Sequence, residues 1–414
     1  MSSRFKNNNL YKFSILLLML FSELYSQEFE NHYSLKLKFN PSDYWWSTYN
    51  NYGQENSKTN FNYNGNYKKN NAQYYFSVFI SEDRINMGES FLQYKIFDKT
   101  YIKAGKYYRD FSTYLNDQLS SGSLLVSNNA ESMPKVGFLS SYNLKKNKNF
   151  NFNYGVAHAI FEKNNFYKKA PMLHEKFIYL QHSKKNIEWS IGLVHEAIWG
   201  GSVIGGRMPG NQPSTIKDFF KIIISADGPD EGGSHPNALG NHLGIWDFNY
   251  KISKDSKIIN LYYQHFFEDT SGLRFANRFD GLWGVELTNY IKDSTILIEY
   301  INTLNQNIDP PYIDDAYYNH GIYQMGWSYK GYTIGNPFIN HLEAVPIEVV
   351  HIAFDKEKND KFYGFKTSKI TSSNKPIDFS VFFIKNFSEK YYIGIAINGN
   401  KDKSGFNFTF STNQ

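Results

Sequence analysis

The feature that most constrains this chain is a hydrophobic period of two that returns along most of its length. Tyr33, Leu35, Leu37 and Phe39 alternate with Ser34, Lys36 and Lys38, and Leu92, Tyr94 and Ile96 alternate with Gln93 and Lys95. Phe150, Phe152, Tyr154 and Val156 alternate with Asn149, Asn151 and Asn153, and Phe406, Phe408 and Phe410 with Asn407 and Thr409. Successive side chains of a strand point to opposite faces, so each run predicts a strand with one apolar and one polar face. After residue 26 no apolar run approaches the roughly 20 residues of a spanning helix; the longest, such as Ile222 to Ile224, break off within a few residues. If the mature chain enters a membrane, it does so as strands.

Alternation alone fits a soluble sandwich or propeller as well as a membrane barrel. Composition separates them: 33 Tyr, 35 Phe and 7 Trp make 18% of the chain, yet mean hydropathy stays polar at −0.53. A barrel uses such a mixture, with rings at the lipid interfaces and every second residue facing a polar lumen. Turn lengths point the same way. Short polar turns are expected at Asp98 to Thr100, Lys145 to Asn149, Ser183 to Asn186, Ser253 to Ser256, Lys292 to Ser294 and Lys356 to Asp360. Longer segments rich in Gly, Trp, His and acids lie between them. In an up-and-down meander the short turns share one rim and the long segments the other, which is the periplasmic and extracellular asymmetry of outer-membrane barrels. The expected fold is therefore all-β, a transmembrane antiparallel up-and-down barrel of the outer membrane with roughly 18 to 20 strands. The segment Gly200 to Gly240 is the longest stretch without clear strand alternation, and Phe219 to Ile224 within it is expected as a short helix or strand, either a plug or a folded loop.

The N-terminus fits that destination. Arg4, Lys6 and Lys12 precede an apolar core from Phe13 to Phe21, and Ser26 is small enough to precede a cleavage site, although Leu24 is a less usual partner. Residues 1–26 read as a signal peptide and 27–414 as the barrel domain. Formal charge falls from +5 to +3 without the signal, which offers no basic face for nucleic acid. The absence of cysteine excludes disulfides and thiolate metal sites, and suits passage through an oxidising periplasm.

Several segments resemble, in order, those of the capsule assembly protein Wzi family. They are LSSGSLLVSNNAESMPKV (Leu119 to Val136), LHEKF (Leu173 to Phe177), HEAIWGG (His195 to Gly201), ALGNHLGIWDF (Ala238 to Phe248), YYQHFFEDTSG (Tyr262 to Gly272), DGLWGVE (Asp280 to Glu286), EYINT (Glu299 to Thr303) and YYNHGIYQMGWSYKGYTIGNPF (Tyr317 to Phe338). The resemblance implies an outer-membrane lectin that anchors capsular polysaccharide to the cell surface. Strand alternation already begins near Tyr33, so a separate N-terminal helical plug is not expected.

Side-chain chemistry is compatible with sugar binding. Acids and amides exchange hydrogen bonds with ring hydroxyls, and an aromatic face covers the apolar side of a sugar. Trp199, Trp283 and Trp327 are candidate platforms. Glu196, Asp247, Glu268, Asp269, Glu286 and Glu299 are candidate acceptors, joined by Asn241, Gln264 and the imidazoles of His195, His242, His265 and His320. Alternation places Asp247, Asn249 and Lys251 in the lumen, with Asn260, Tyr262, Gln264 and Glu268 on the returning strand, while Trp246, Phe248, Tyr250, Leu261 and Tyr263 face lipid. The competing structural roles are interfacial anchoring for Trp and Tyr, and inward ion pairing for Glu. His195-Glu196 opens like a zinc-helix signature, but Trp199 stands where the second His belongs, so no metal is expected. No nucleophile-elbow, P-loop or dinucleotide pattern implies a cofactor or a catalytic residue. Three functions follow in order: surface lectin in capsule assembly, porin-like channel, and lumenal carbohydrate-active enzyme. Expected partners are capsular polysaccharide, outer-membrane lipid and lipopolysaccharide and, transiently, the barrel assembly machinery.

Overall fold

The computed structural model describes residues 29–39, 50–54, 57–82, 84–144, 147–229, 237–306, 315–388 and 390–412. The expected signal peptide lies outside them, as does part of the expected turn at 145–149. Eighteen antiparallel strands form one closed barrel. Closure comes from the first strand, Phe29–Phe39, pairing with the last, Ser404–Thr412, in a register that sets Leu35 opposite Phe410 and Leu37 opposite Phe408. The ladder has no free edge, so every strand finds its backbone partners without water, as a membrane interior requires.

Connections alternate in length over most of the barrel. Strands Met172–Lys184 and Ile187–Trp199 join through residues 185–186, Asn241–Lys254 and Lys257–Phe267 through 255–256, and Glu348–Lys358 and Lys361–Ile370 through 359–360. Lys185, Asp255, Asn359 and Asp360 all take positive φ there. Asp and Asn tolerate that region and support two-residue hairpins with the right twist. The first strand begins at Phe29 and the last ends at Thr412 toward this short-turn rim. The opposite rim carries segments 108–132, 200–240, 268–280 and 303–347.

Alternation fixes the two faces as expected. Ile178, Ile191, Leu261, Val285, Ile298, Val381 and Ile395 are exposed on the outer wall, a lipid-facing band flanked by rings such as Tyr263 and Trp283, stacked at 3.7 Å. Two long segments fold into the lumen. Leu124, Leu125, Tyr318 and Trp327 are fully buried and pack against the inward Leu243, Ile245, Leu282, Ile301 and Val349. The plug is thus built by 108–132 and the described residues of 303–347.

Gly200 to Gly240 instead carries a helix, Ile216–Ile224, that lies against the outside of the wall. Its start is set by a capping box in which Thr215 accepts from Asp218 N and Asp218 accepts from Thr215 N. Phe219 packs on the outward rings of His158, His174 and Trp199, and Lys176 Nζ donates to the Ile223 carbonyl. Ile216, Phe220 and Ile224, one turn apart, remain exposed along the side away from the wall.

Candidate functional site

The lumen is closed by a latch built from inward side chains of the far wall. Asp247 accepts from Ser112 Oγ at 2.6 Å, from Tyr179 Oη at 2.6 Å and from Tyr114 Oη. Gln264 accepts from Leu124 N at 2.9 Å and donates to Ser112 Oγ at 3.0 Å. Glu299 accepts from Ser120 Oγ at 2.6 Å, Ser121 N at 2.7 Å and Tyr262 Oη at 2.5 Å. His351 Nε2 donates to the Leu119 carbonyl at 2.7 Å. Hydrogen bonds to a charged partner contribute about 1.5–3 kcal/mol each. These groups hold segment 108–132 as a fixed part of the fold.

The second segment locks onto the first. Trp327 Nε1 donates to the Leu125 carbonyl at 2.8 Å, Tyr318 Oη to the Leu124 carbonyl, Asn336 Nδ2 to the Gly122 carbonyl at 2.7 Å, and Ser127 Oγ to the Gly335 carbonyl at 2.6 Å. A Cβ at Gly335 would stand 2.1 Å from the Leu124 carbonyl oxygen and 2.2 Å from Tyr318 Oη, so the approach requires glycine. Glu131, at the end of the first segment, takes Lys330 at 2.9 Å, Lys106 at 3.3 Å and Arg84 at 3.9 Å. One carboxylate therefore ties together two loops and the wall.

The structure places the residues expected to bind sugar in several different environments. Asp247, Gln264 and Glu299 are spent on the plug's own hydroxyls and amides. Trp327 is fully buried within the plug. Trp283 faces outward and stacks on Tyr263, so it is a lipid-side ring. Trp199, His195 and His242 also point outward, but beneath the wall helix, where His195 Nε2 lies 2.9 Å from His242 Nδ1. His265 points outward too, bonded to Tyr263 Oη at 2.6 Å and stacked on Phe275. Glu196 and Asn241 are inward and buried in the wall, Glu196 beside the Lys135–Glu175 pair at 3.0 Å. Glu286 faces the lumen below the plug.

Three of the expected residues, Glu268, Asp269 and His320, lie in the long-loop segments outside the latch. Asp269 is exposed, and desolvation, with Asp315 and Asp269 nearby, raises the Glu268 carboxyl well above the usual carboxylate range. Burial brings the His320 imidazole down to about 4, so it is neutral at pH 7. Behind them Asp280, bonded by Tyr317 Oη at 2.6 Å and Gln306 N at 2.7 Å, is raised by burial and braces the loop base. Among the described residues, no group of three or more His, Cys, Asp and Glu could hold a metal ion. The latch is what sequence reasoning missed. Its signal was the Ser/Gly/Asn-rich stretch 119–130, which has no alternation and sits between two strands.

Comparison with known proteins now decides the family. The profile described as capsule assembly protein Wzi matches residues 25–369. The chain belongs to the Wzi family. Among solved structures, one is described as Wzi, an outer-membrane protein involved in group 1 capsule assembly in Escherichia coli and a carbohydrate-binding β-barrel. This Wzi-family chain matches it with a TM-score of 0.64 at 14% identity, over 96% of this chain and 87% of that one. OccK5 (OpdH) of Pseudomonas aeruginosa matches with a TM-score of 0.44 at 7% identity, over 93% and 97% of the two chains. A search of curated protein sequences finds no match. The protein is an outer-membrane barrel.

Proposed function

We propose that this Wzi-family barrel is a surface lectin that binds capsular or other exported polysaccharide and anchors it at the outer face during capsule assembly, without catalysing a reaction on it. The observation that carries the reading is the double plug: a lumen filled by segments 108–132 and 303–347 holds its glycan on a surface rather than passing it through. Family membership supports the same reading. Nothing in the latch favours a diffusion channel, and its carboxylates are bonded to the protein's own hydroxyls rather than set free across a cleft as a glycosidase pair would be. Residues 1–26 act as the cleaved export signal. The outer band sits in lipid and lipopolysaccharide, and the barrel assembly machinery inserts it.

Of the residues expected to bind sugar, the reading favours Asp269, Glu268 and His320, which lie in the long-loop segments and take no part in the latch, Asp269 being exposed. D269A/H320A is expected to weaken binding of the purified capsular polysaccharide about tenfold, equivalent to roughly 1.4 kcal/mol. Folding is checked by the heat-dependent shift of the barrel on a gel. A folded double variant that binds as tightly as the parent removes these residues from the site.

A further inference from the structure

Beneath the plug the lumen opens as a cavity of about 710 Å³ at the short-turn rim. Its roof is the plug segment from Asp110 to Tyr114, and its walls are inward faces of the strands on either side of turns 185–186 and 255–256. Among the described residues the latch closes it from above, and it faces the short-turn rim, the periplasmic side of such a barrel. We propose that this cup is a second, separate binding site, for a short uncharged oligosaccharide presented from the periplasm.

The wall chemistry carries this. Asn151 Nδ2 donates to Asn153 Oδ1 at 2.7 Å, Asn153 Nδ2 to Gln181 Oε1 at 2.5 Å, and Asn249 Nδ2 to Asn260 Oδ1 at 2.5 Å. All five amides line the cup, and these bonds orient them as a set of donors and acceptors along its wall. A sugar hydroxyl is both donor and acceptor, and such paired amides match it. Tyr114, half-buried at the roof, offers ring surface to the apolar side of a sugar.

Charge selects the class. Of the ionisable residues lining the cup, Lys251 pairs with Glu188 at 3.6 Å, and Asp110 with Lys103 at 2.8 Å. Lys148 and Glu286 are left, one of each sign. Among the described Lys, Asp and Glu of the lining and their ion-pair partners the formal charges balance, so a charged glycan loses hydration on entering with no net opposite charge there to offset it. An extended peptide finds no open strand edge in a closed barrel. The volume lies within the usual range for small-ligand sites. The site is independent of the outer-surface reading, since no residue of the outer group lines it.

The test is calorimetric titration of the full-length mature protein in detergent micelles with maltotriose, chitotriose and trigalacturonate. One or both uncharged trisaccharides should bind one to one, with trigalacturonate at least tenfold weaker. Q181A/N249A should weaken that binding about tenfold, and S190W, which fills the cup from its wall, should abolish it in a barrel that still shifts on heating. D269A/H320A should leave it unchanged, which separates a failure here from a failure at the outer surface. Preference for maltotriose assigns plain hexose units, and preference for chitotriose assigns N-acetylated units of the cell-wall type; both support the site. It is overturned if neither uncharged trisaccharide binds, if trigalacturonate binds as tightly, or if Q181A/N249A and S190W both bind like the parent.

Discussion

Replacing residues 111–130 with a short Gly/Ser linker is expected to turn a barrel that passes no ions into a conducting channel. The strand ladder closes through Phe29–Phe39 and Ser404–Thr412 without any help from this segment, so the wall survives its removal. The lumen does not stay filled, because Trp327, Tyr318 and Asn336 lose the carbonyls of residues 122–125 that hold segment 303–347 in place. Asp247, Gln264 and Glu299 then face water, and an 18-stranded barrel without its filling is wide enough for an aqueous channel. Planar-bilayer recording checks both halves: silence for the parent and steady conductance for the linker variant. Conductance in the parent would mean that the plug is not the resting state.

Substituting Glu131 by Ala is expected to cost about 3 kcal/mol of barrel stability. Removing one partner of a buried charge pair costs roughly 3–5 kcal/mol. The low end applies because Lys330 and Arg84, with about a third of their side chains exposed at 32% and 31%, recover some hydration. Glu131→Gln should lose less, since its amide oxygen still accepts one of the three donors. Urea unfolding in micelles, followed by the gel shift, measures both variants. A loss below about 1 kcal/mol for Glu131→Ala would show that the three cations find other partners.

The barrel was legible in the sequence because its signals are local. Period-two alternation places Asp247 inward and Trp246 outward with no knowledge of neighbours, and the Asp255-Ser256 and Asp360 turns announce one rim. The candidate site was less legible. Inward acids and amides such as Asp247, Gln264 and Glu299 have the composition of a sugar site, but the same donors and acceptors satisfy the hydroxyls and backbone of a loop folded inward. Which of the two a side chain meets depends on contacts across more than a hundred residues, as between Ser112 and Asp247, and alternation carries no such term. The surroundings of Trp199 and His242 were illegible for a related reason. Parity correctly turns them to the outer wall, but nothing local foretells that the helix Ile216–Ile224 will cover them. The family segments Leu119 to Val136 and Tyr317 to Phe338 are the two halves of the plug, so part of the resemblance reports how the barrel is closed.

The central claim is that a closed barrel holds polysaccharide at the cell surface. Its most direct test is the ratio of cell-bound to shed capsular polysaccharide in a clean deletion strain and its complemented parent. The account predicts a shift toward shed material with total synthesis unchanged, restored by complementation. An unchanged ratio would contradict it.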